Sequence, residues 1–284
     1  MEKHILIPTD FSRNAWNALT YAIELYKEGP ATFHILNAYQ LFHFTTDSII
    51  EPVPGEKAYE EAKKVSELGL ERLVEGIDPR IENPQLKIET ISTYNTVIGA
   101  VKEVLKKKDI DLIIMGTKGE NNPVNAIYGS NAVNMMEKVQ ECPVLVVPNK
   151  DSKKEDHVNE IVFATNFKYY YKRKELAILA DLARNFKAPI RVLYIQENDG
   201  LSRDQQTNKE VLEDYFDDFV CTFHTLTRIK VSKGIHSFIE SRNSSMLALF
   251  SRKHGLFTDL FARSLVSEMG FHPQVPVLVL REHK

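Results

Sequence analysis

Short, continuously apolar runs alternate along the chain with longer segments whose apolar positions recur at helical spacing. In the first half, Ile5 to Thr9, Thr32 to Ala38, Leu86 to Thr93, Leu112 to Gly116 and Val144 to Val147 read as strands. Between the first two, Ser12 to Tyr26 reads as a helix, with Ser12 at the N-cap and Ala15, Leu19, Ala22, Ile23 and Tyr26 on one face. Ala58 to Val74 and Val97 to Lys107 are amphipathic in the same way, and Asn131 to Val139 makes a fourth helix. Strands that are apolar throughout, without alternation, expect cover on both faces. Strand and helix in strict alternation then predict a parallel sheet with right-handed crossovers, flanked by helices. The fold class is α/β, with five strands and four helices in each half of the chain. The second half gives the same pattern, less distinctly between Asp199 and Cys221.

The halves correspond residue by residue in three places. Ile5-Leu6-Ile7-Pro8-Thr9-Asp10-Phe11 returns as Ile161-Val162-Phe163-Ala164-Thr165-Asn166-Phe167. His34-Ile35-Leu36-Asn37-Ala38 returns as Arg191-Val192-Leu193-Tyr194-Ile195, and Cys142-Pro143-Val144-Leu145-Val146-Val147 as Val275-Pro276-Val277-Leu278-Val279-Leu280. A period of roughly 140 residues is too long for a solenoid unit and suits a duplicated domain. The expected domains are 1–149 and 157–284, joined by the polar, aperiodic segment Asn149 to Asp156.

Composition narrows the partners. A formal net charge of −3 with dispersed basic residues argues against a general nucleic-acid binder. Lys106-Lys107-Lys108 reads as a helix end, where cations complement the dipole. Two cysteines, Cys142 and Cys221, lie in strands of different halves and suggest reduced thiols, neither a disulfide scaffold nor a metal site. The His residues are scattered, with His4 and His34 inside strands. Trp16 reads as a packed helix residue, and Tyr169-Tyr170-Tyr171 as the opening of a helix. No run reaches the roughly 20 apolar residues of a membrane span. Met1-Glu2-Lys3-His4 leads straight into a strand with no room for a signal peptide, so the expected location is the cytoplasm.

In an open parallel sheet, ligands bind at the carboxyl ends of strands. Two features fall there. Pro8-Thr9-Asp10-Phe11 leaves the first strand, and Gly116-Thr117-Lys118-Gly119 leaves the fourth, followed after nine residues by Gly129-Ser130. Gly116 and Gly119 would let the chain turn and let a ligand approach the backbone. Asn121-Asn122-Pro123 interrupts helix, and Gly129-Ser130 then opens one whose unpaired amides and dipole suit an anion. Ser130 could cap that helix or donate to a phosphate. Taken alone, a G-x-x-G serves turns and caps more readily than ligands.

The complete spacing Gly116-x2-Gly119-x9-Gly129-Ser130, together with Pro8-Thr9-Asp10 and Cys142-Pro143-Val144, resembles the universal stress protein family over nearly the whole chain. The resemblance implies two tandem Rossmann-like domains of the adenine nucleotide α-hydrolase type. It places Thr9 and Asp10 beside an adenosine and offers backbone groups of Ala38 to the adenine. Gly116, Gly119, Gly129 and Ser130 would hold ribose and phosphates. Asp10, with Ser12, also fits a helix-capping role, and the two roles are compatible. Mg²⁺ would be held mainly by the phosphates, since no carboxylate cluster is visible.

The second half departs from the pattern. Phe250 stands opposite Gly116, Lys253 opposite Gly119, Arg263-Ser264 opposite Gly129-Ser130, and Asn166 replaces Asp10. These substitutions obstruct binding there, so one nucleotide site per chain is expected, with a structural or partner-binding role for the second half. Arg252, Lys253, His254 and Arg263 could still attract an anion, but they read more simply as solvated basic surface. The leading expectation is a nucleotide-binding, stress-linked regulatory protein whose ligand is ATP or a related adenine nucleotide. No general base stands near the glycines, which argues against efficient catalysis and leaves at most slow ATP hydrolysis. An adenine-nucleotide α-hydrolase enzyme would carry a Ser/Gly-rich loop after the first strand, where this chain has Pro8-Thr9-Asp10-Phe11-Ser12. An interaction module that binds no nucleotide is the other alternative. The final strands, Val144 to Val147 and Val277 to Leu280, are short apolar edges that could pair within one chain as a pseudo-dimer, and a homodimer is possible.

Overall fold

The computed structural model describes residues 2–40, 43–45, 48–50, 55–77, 81–117, 129–149, 158–196, 200–252 and 275–282. Contacts divide the chain into two compact units, Met1–Met135 and Met136–Lys284. The first runs β1 (Lys3–Pro8), α1 (Arg13–Leu25), β2 (Ala31–Tyr39), β3 (His43–Thr45), β4 (Ser48–Ile50), α2 (Lys57–Ile77), β5 (Leu86–Tyr94), α3 (Val97–Lys107), β6 (Leu112–Gly116) and most of α4 (Ser130–Lys138). Its sheet has the order β6-β1-β2-β5 with every pairing parallel. Ile5, Leu6 and Ile7 at its centre are fully buried, as are Leu112, Ile113 and Ile114 beside them. The unbroken apolar runs therefore mark strands covered on both faces. At the edge, β5 has no buried residue and starts by alternating half-buried Leu86 and Ile88 with exposed Lys87 and Glu89. The antiparallel β3–β4 pair has no counterpart in the periodicity, because three-residue strands are too short to impose one.

Local chemistry accounts for the helix boundaries. The Ser12 hydroxyl caps α1 by accepting from Ala15 N at 3.2 Å. The Thr96 hydroxyl caps α3 by accepting from Gly99 N at 3.0 Å, and Lys106 and Lys107 close that helix where its dipole is negative. Trp16 is half-buried in α1, as expected of a packed helix residue.

The second unit runs β7 (Val144–Val147), β8 (Ile161–Thr165), α5 (Arg173–Phe186), β9 (Ile190–Gln196), α6 (Arg203–Tyr215), β10 (Cys221–Thr227), α7 (Val231–Arg242), β11 (Met246–Ser251) and β12 (Val277–Arg281). Strands β10-β9-β8-β11-β12 are parallel in that order. β7 lies antiparallel to β12, pairing Val144 with Val279, Leu145 with Leu278 and Val146 with Val277. The indistinct stretch after Asp199 holds α6, which buries only Leu212 and so lacks an apolar stripe. Its start is nonetheless fixed by a Ser202–Gln205 capping box. Tyr169, Tyr170 and Tyr171 precede α5 instead of opening it, since Lys172 occupies the cap position. The polar linker and the fourth helix expected of the second half fall outside the described residues, apart from Asn149. Cys142 is buried just ahead of β7, Cys221 begins β10, and neither is in a disulfide.

The registers match the sequence repeat. Ile5 sits opposite Phe33 and Leu112, whereas Ile161 sits opposite Ile190 and Met246. At the amino ends of the strands, the positions of His4 and Glu160 are therefore equivalent. His4 and His34 are not scattered: His4 Nδ1 lies 3.2 Å from His34 Nε2, and His34 Nδ1 lies 3.0 Å from Glu89 Oε2. Burial lowers the pKa of His34. In the second unit the buried Glu160 carboxylate accepts from Arg191 Nε at 2.6 Å, Arg242 Nε and Nη2 at 2.9 and 2.8 Å, and Ser244 Oγ at 2.7 Å. Burial pushes this carboxyl up, but the bonds from Arg242, Arg191 and Ser244 outweigh it and hold the pKa at about 2.

Candidate functional site

A cleft of about 60 Å³ opens at the carboxyl ends of the first unit's strands. β1 contributes Pro8 and the following Thr9 and Asp10; β2 contributes Leu36 and Ala38. β6 contributes Met115 and Gly116 with Thr117 after it, α3 its first residue Val97, and the start of α4 Gly129, Asn131 and Ala132. Thr9, Asp10, Ala38, Gly116 and Gly129, singled out from the sequence, thus converge on one place. Gly119 lies outside the described residues. Ser130 is exposed and is the first residue of α4, not its cap.

Several of the lining groups are held by identifiable bonds. Thr9 N donates to Leu36 O at 2.8 Å, its carbonyl accepts from Asn37 Nδ2 at 2.8 Å, and its hydroxyl accepts from Phe11 N at 3.1 Å. The Asp10 carboxylate accepts from Ser12 N at 3.1 Å, closing a second side-chain turn. These turns carry Phe11 through φ 63°, a left-handed conformation that a non-glycine residue adopts only when its surroundings impose it. Asp10 therefore shapes the loop, while Ser12 caps α1. Gly129 N donates to Thr117 O at 2.7 Å, and Gly129 O accepts from Val133 N at 3.1 Å, so Gly129 takes the cap position of α4. The first-turn amides of Ser130, Asn131 and Ala132 are left without intrahelical acceptors, at the positive end of the helix dipole.

Gly116 has a different reason from the one its motif suggests. A Cβ there would lie 2.8 Å from Asn14 O and 2.9 Å from Asn14 C, within the backbone of α1. The missing side chain lets α1 pack against β6, and the residue faces the cleft with its backbone.

The apolar part of the lining, Leu36, Ala38, Val97 and Met115, suits a flat ring, and the α4 amides suit an anion. Among the described residues no group of three His, Cys, Asp or Glu side chains could hold a metal ion. Asn37, Val97, Asn131 and Ala132 did not stand out in the sequence. Val97 was within reach, because it opens a helix at the carboxyl end of β5 by the same rule that selected the others. Asn37 carried no such signal. Its amide holds the ends of β1 and β2 together from a buried position.

The equivalent place in the second unit is filled by the chain itself. The register puts Phe250 at the position of Gly116, as the sequence alignment has it. Three residues, 10–12, separate Thr9 from α1, whereas seven, 166–172, separate Thr165 from α5. The longer loop delivers Tyr171, whose hydroxyl lies 2.7 Å from Thr165 Oγ1 and whose ring meets Phe250 at 4.9 Å and 64°. Both aromatic side chains are buried. Arg252 is not solvated surface. Its guanidinium stacks 4.7 Å from the centroid of Tyr169 and donates to Tyr170 O at 2.6 Å. The loop itself repeats the first half: Thr165 Oγ1 accepts from Phe167 N, Asn166 Oδ1 from Lys168 N, and Phe167 has φ 55°. Lys253, His254, Arg263 and Ser264 lie outside the described residues.

A protein from Archaeoglobus fulgidus described as a universal stress protein aligns in structure over 99% of this chain and 97% of its own, with a TM-score of 0.70 and 18% identity, which establishes likeness of fold. Two curated universal stress proteins of Methanocaldococcus jannaschii are similar in sequence. One is 28% identical over 162 residues, covering 54% of this chain and 98% of its own length; the other is 29% identical over 153 residues, covering 54% and 85%. A model of the universal stress protein family matches residues 1–148. With the doubly wound sheet, the glycine-lined strand ends and this match in place, the chain belongs to the universal stress protein family.

Proposed function

We propose that the chain is a stress-response regulatory protein that binds ATP or a related adenine nucleotide in the cleft of its first half. The observation that carries this reading is the meeting of Thr9, Asp10, Ala38, Gly116 and Gly129 in one cleft that also receives the amino end of α4. The adenine lies against Leu36, Ala38 and Val97, and the phosphates lie over the amides of Ser130, Asn131 and Ala132, with Ser130 at their rim; the family resemblance assigns Gly119 to the same phosphates. Mg²⁺ is carried in by the phosphates. The protein works in the cytoplasm, and its output is a change of conformation or assembly, with ATP hydrolysis slow at most.

The repeats 1–149 and 157–284 act as a pseudo-dimer. The symmetric register of β7 with β12, centred on Leu145 and Leu278, supports that arrangement. A second copy of the chain can add a homodimer to it. One nucleotide per chain is the expected stoichiometry, because Tyr171 and Phe250 fill the second position. That filling also favours an interaction role for the second half.

The test is direct. The purified full chain is denatured, released nucleotides are identified by mass spectrometry, and ATP affinity is measured with and without Mg²⁺ for wild type and Gly129→Val. The proposal expects adenine nucleotide in the wild type and at least tenfold weaker binding in the variant. Wild type that binds no adenine nucleotide at millimolar concentration refutes it. Fast, saturable turnover would move the protein to the enzymes.

A further inference from the structure

The first repeat ends Val146-Val147-Pro148, the second Val279-Leu280-Arg281, so the arginine that closes β12 has no counterpart in the first half. Arg281 is almost wholly buried, with 4% of its surface exposed. A charged side chain is rarely placed so deep without a strong acceptor. Its Nη2 donates to Met136 O at 2.6 Å. Met136 lies two residues before the end of α4, so its carbonyl is one of the last four, which have no intrahelical donor. The neighbouring carbonyl, Glu137 O, accepts from Gln140 Nε2 at 2.7 Å. Burial pushes the pKa of Arg281 down to about 10, against the pull of Cys142 and Glu141, so the group is cationic at neutral pH. A buried cation thus sits at the negative end of a nine-residue helix.

The other end of that helix is the cleft. Gly129, Asn131 and Ala132 line it, and Gly129 N is bonded to Thr117 O. Ala132, Met135 and Met136 bury the apolar face of this helix, and polar bonds hold its two ends. It is pinned at its first turn by Thr117 and at its last by Arg281.

We propose that Arg281 is a positioning residue for the nucleotide cleft: by holding Met136 O it fixes α4, and so the amides that meet the phosphates. The proposal rests on the reading of the cleft as a nucleotide site. It assigns to the last strand of the chain a part in ligand affinity, although Arg281 touches no ligand. It acts on the phosphate end of the ligand, since the adenine is met by β2 and α3.

The experiment uses the full chain as wild type, Arg281→Met and Arg281→Lys. Methionine has a similar length and keeps the packing without the charge or the donor; lysine keeps the charge with a single point of contact. Hydrogen exchange of peptides covering 130–138 is measured without ligand, and affinities for ATP and for adenosine are measured separately. Arg281→Met should speed exchange in α4 by about tenfold and weaken ATP by about tenfold, the scale of a buried cation at a helix end. Adenosine affinity should change less than twofold, exchange in α5 should stay as in wild type, and Arg281→Lys should fall between. Unchanged exchange in α4, or equal loss of ATP and adenosine, overturns the assignment. Should methionine prevent folding, the same comparison on Arg281→Lys decides it. If wild type binds neither ligand, the nucleotide reading itself fails and this assignment falls with it; that result is distinct from a variant that binds like wild type.

Discussion

Gly116→Ala separates two explanations of the same glycine. If the residue is small so that a ligand can approach, alanine leaves the ligand-free protein intact and weakens binding alone. The geometry expects otherwise. The added Cβ would stand 2.8 Å from Asn14 O, 2.9 Å from Asn14 C and 3.2 Å from Asn14 Cβ, and two of these three neighbours are backbone atoms of α1. Comfortable contact needs about half an ångström more, and a helix backbone cannot rotate aside as a side chain can, so α1 must shift off β6. Overpacking of this kind costs about 1–3 kcal/mol. Gly116 is not among the positive-φ residues, so alanine should recover about 0.5–1 kcal/mol from the smaller entropy of its unfolded chain. The net expectation is a loss of about 1–2 kcal/mol, seen as a fall of several degrees in melting temperature for a domain of this size. Thermal and urea unfolding of the ligand-free chain measure it, with ATP affinity taken in parallel. Stability equal to or above wild type, whatever the affinity, would refute the packing explanation.

Other consequences are sharper in one direction each. Glu160 titrates at about 2 when folded against 4.5 as its ordinary value, so it contributes about 3 kcal/mol of stability above pH 4.5 that is lost as pH falls toward 2. Glu160→Gln should lower stability by about 3 kcal/mol at pH 7, leaving Arg191 and Arg242 without their carboxylate, and should flatten the acid limb of a urea-midpoint-against-pH series. Asp10→Asn should change stability by less than about 0.5 kcal/mol, because Asn166 already forms the same turn in the second half, while an altered ATP affinity would isolate the ligand role of the charge. Ser12→Ala should cost about 1 kcal/mol by removing the cap of α1, read by chemical denaturation. Equilibrium dialysis at saturating ATP should give one nucleotide per chain; two would contradict the filled second cleft.

The fold was legible in the sequence wherever burial is two-sided. β1 from Ile5 onward, β6, and β8 and β11 up to their last residues are continuous apolar runs, and the repeat could be aligned through them because a parallel sheet leaves those positions little choice. The polar helix α6 and the three-residue strands β3 and β4 gave little periodicity and were missed or blurred. The cleft was half legible: residues at strand ends follow from topology, but Asn37 and the stacked position of Arg252 depend on partners tens of residues away.

Gly116 and Phe250 show how one sequence signal can have two physical sources. Read as a motif, the change from glycine to phenylalanine is the loss of a ligand contact. In the structure it accompanies a change of loop length. With three residues between Thr9 and α1, the helix backbone at Asn14 comes down on the end of β6, and only glycine fits beneath it. With seven between Thr165 and α5, Tyr171 occupies the place above β11, and a phenylalanine has a ring to pack against in place of a backbone to collide with. The extra loop residues and the bulky side chain therefore belong together. Shortening the loop while Phe250 remains would drive α5 into it, and restoring glycine while the loop remains would leave a void beside Tyr171. A single Phe250→Gly substitution should accordingly cost about 3–5 kcal/mol, as for other large-to-small core changes, without creating a second nucleotide site. Recovery of binding at the second position by that substitution alone would show that the glycine, and not the loop, decides whether the cleft is open.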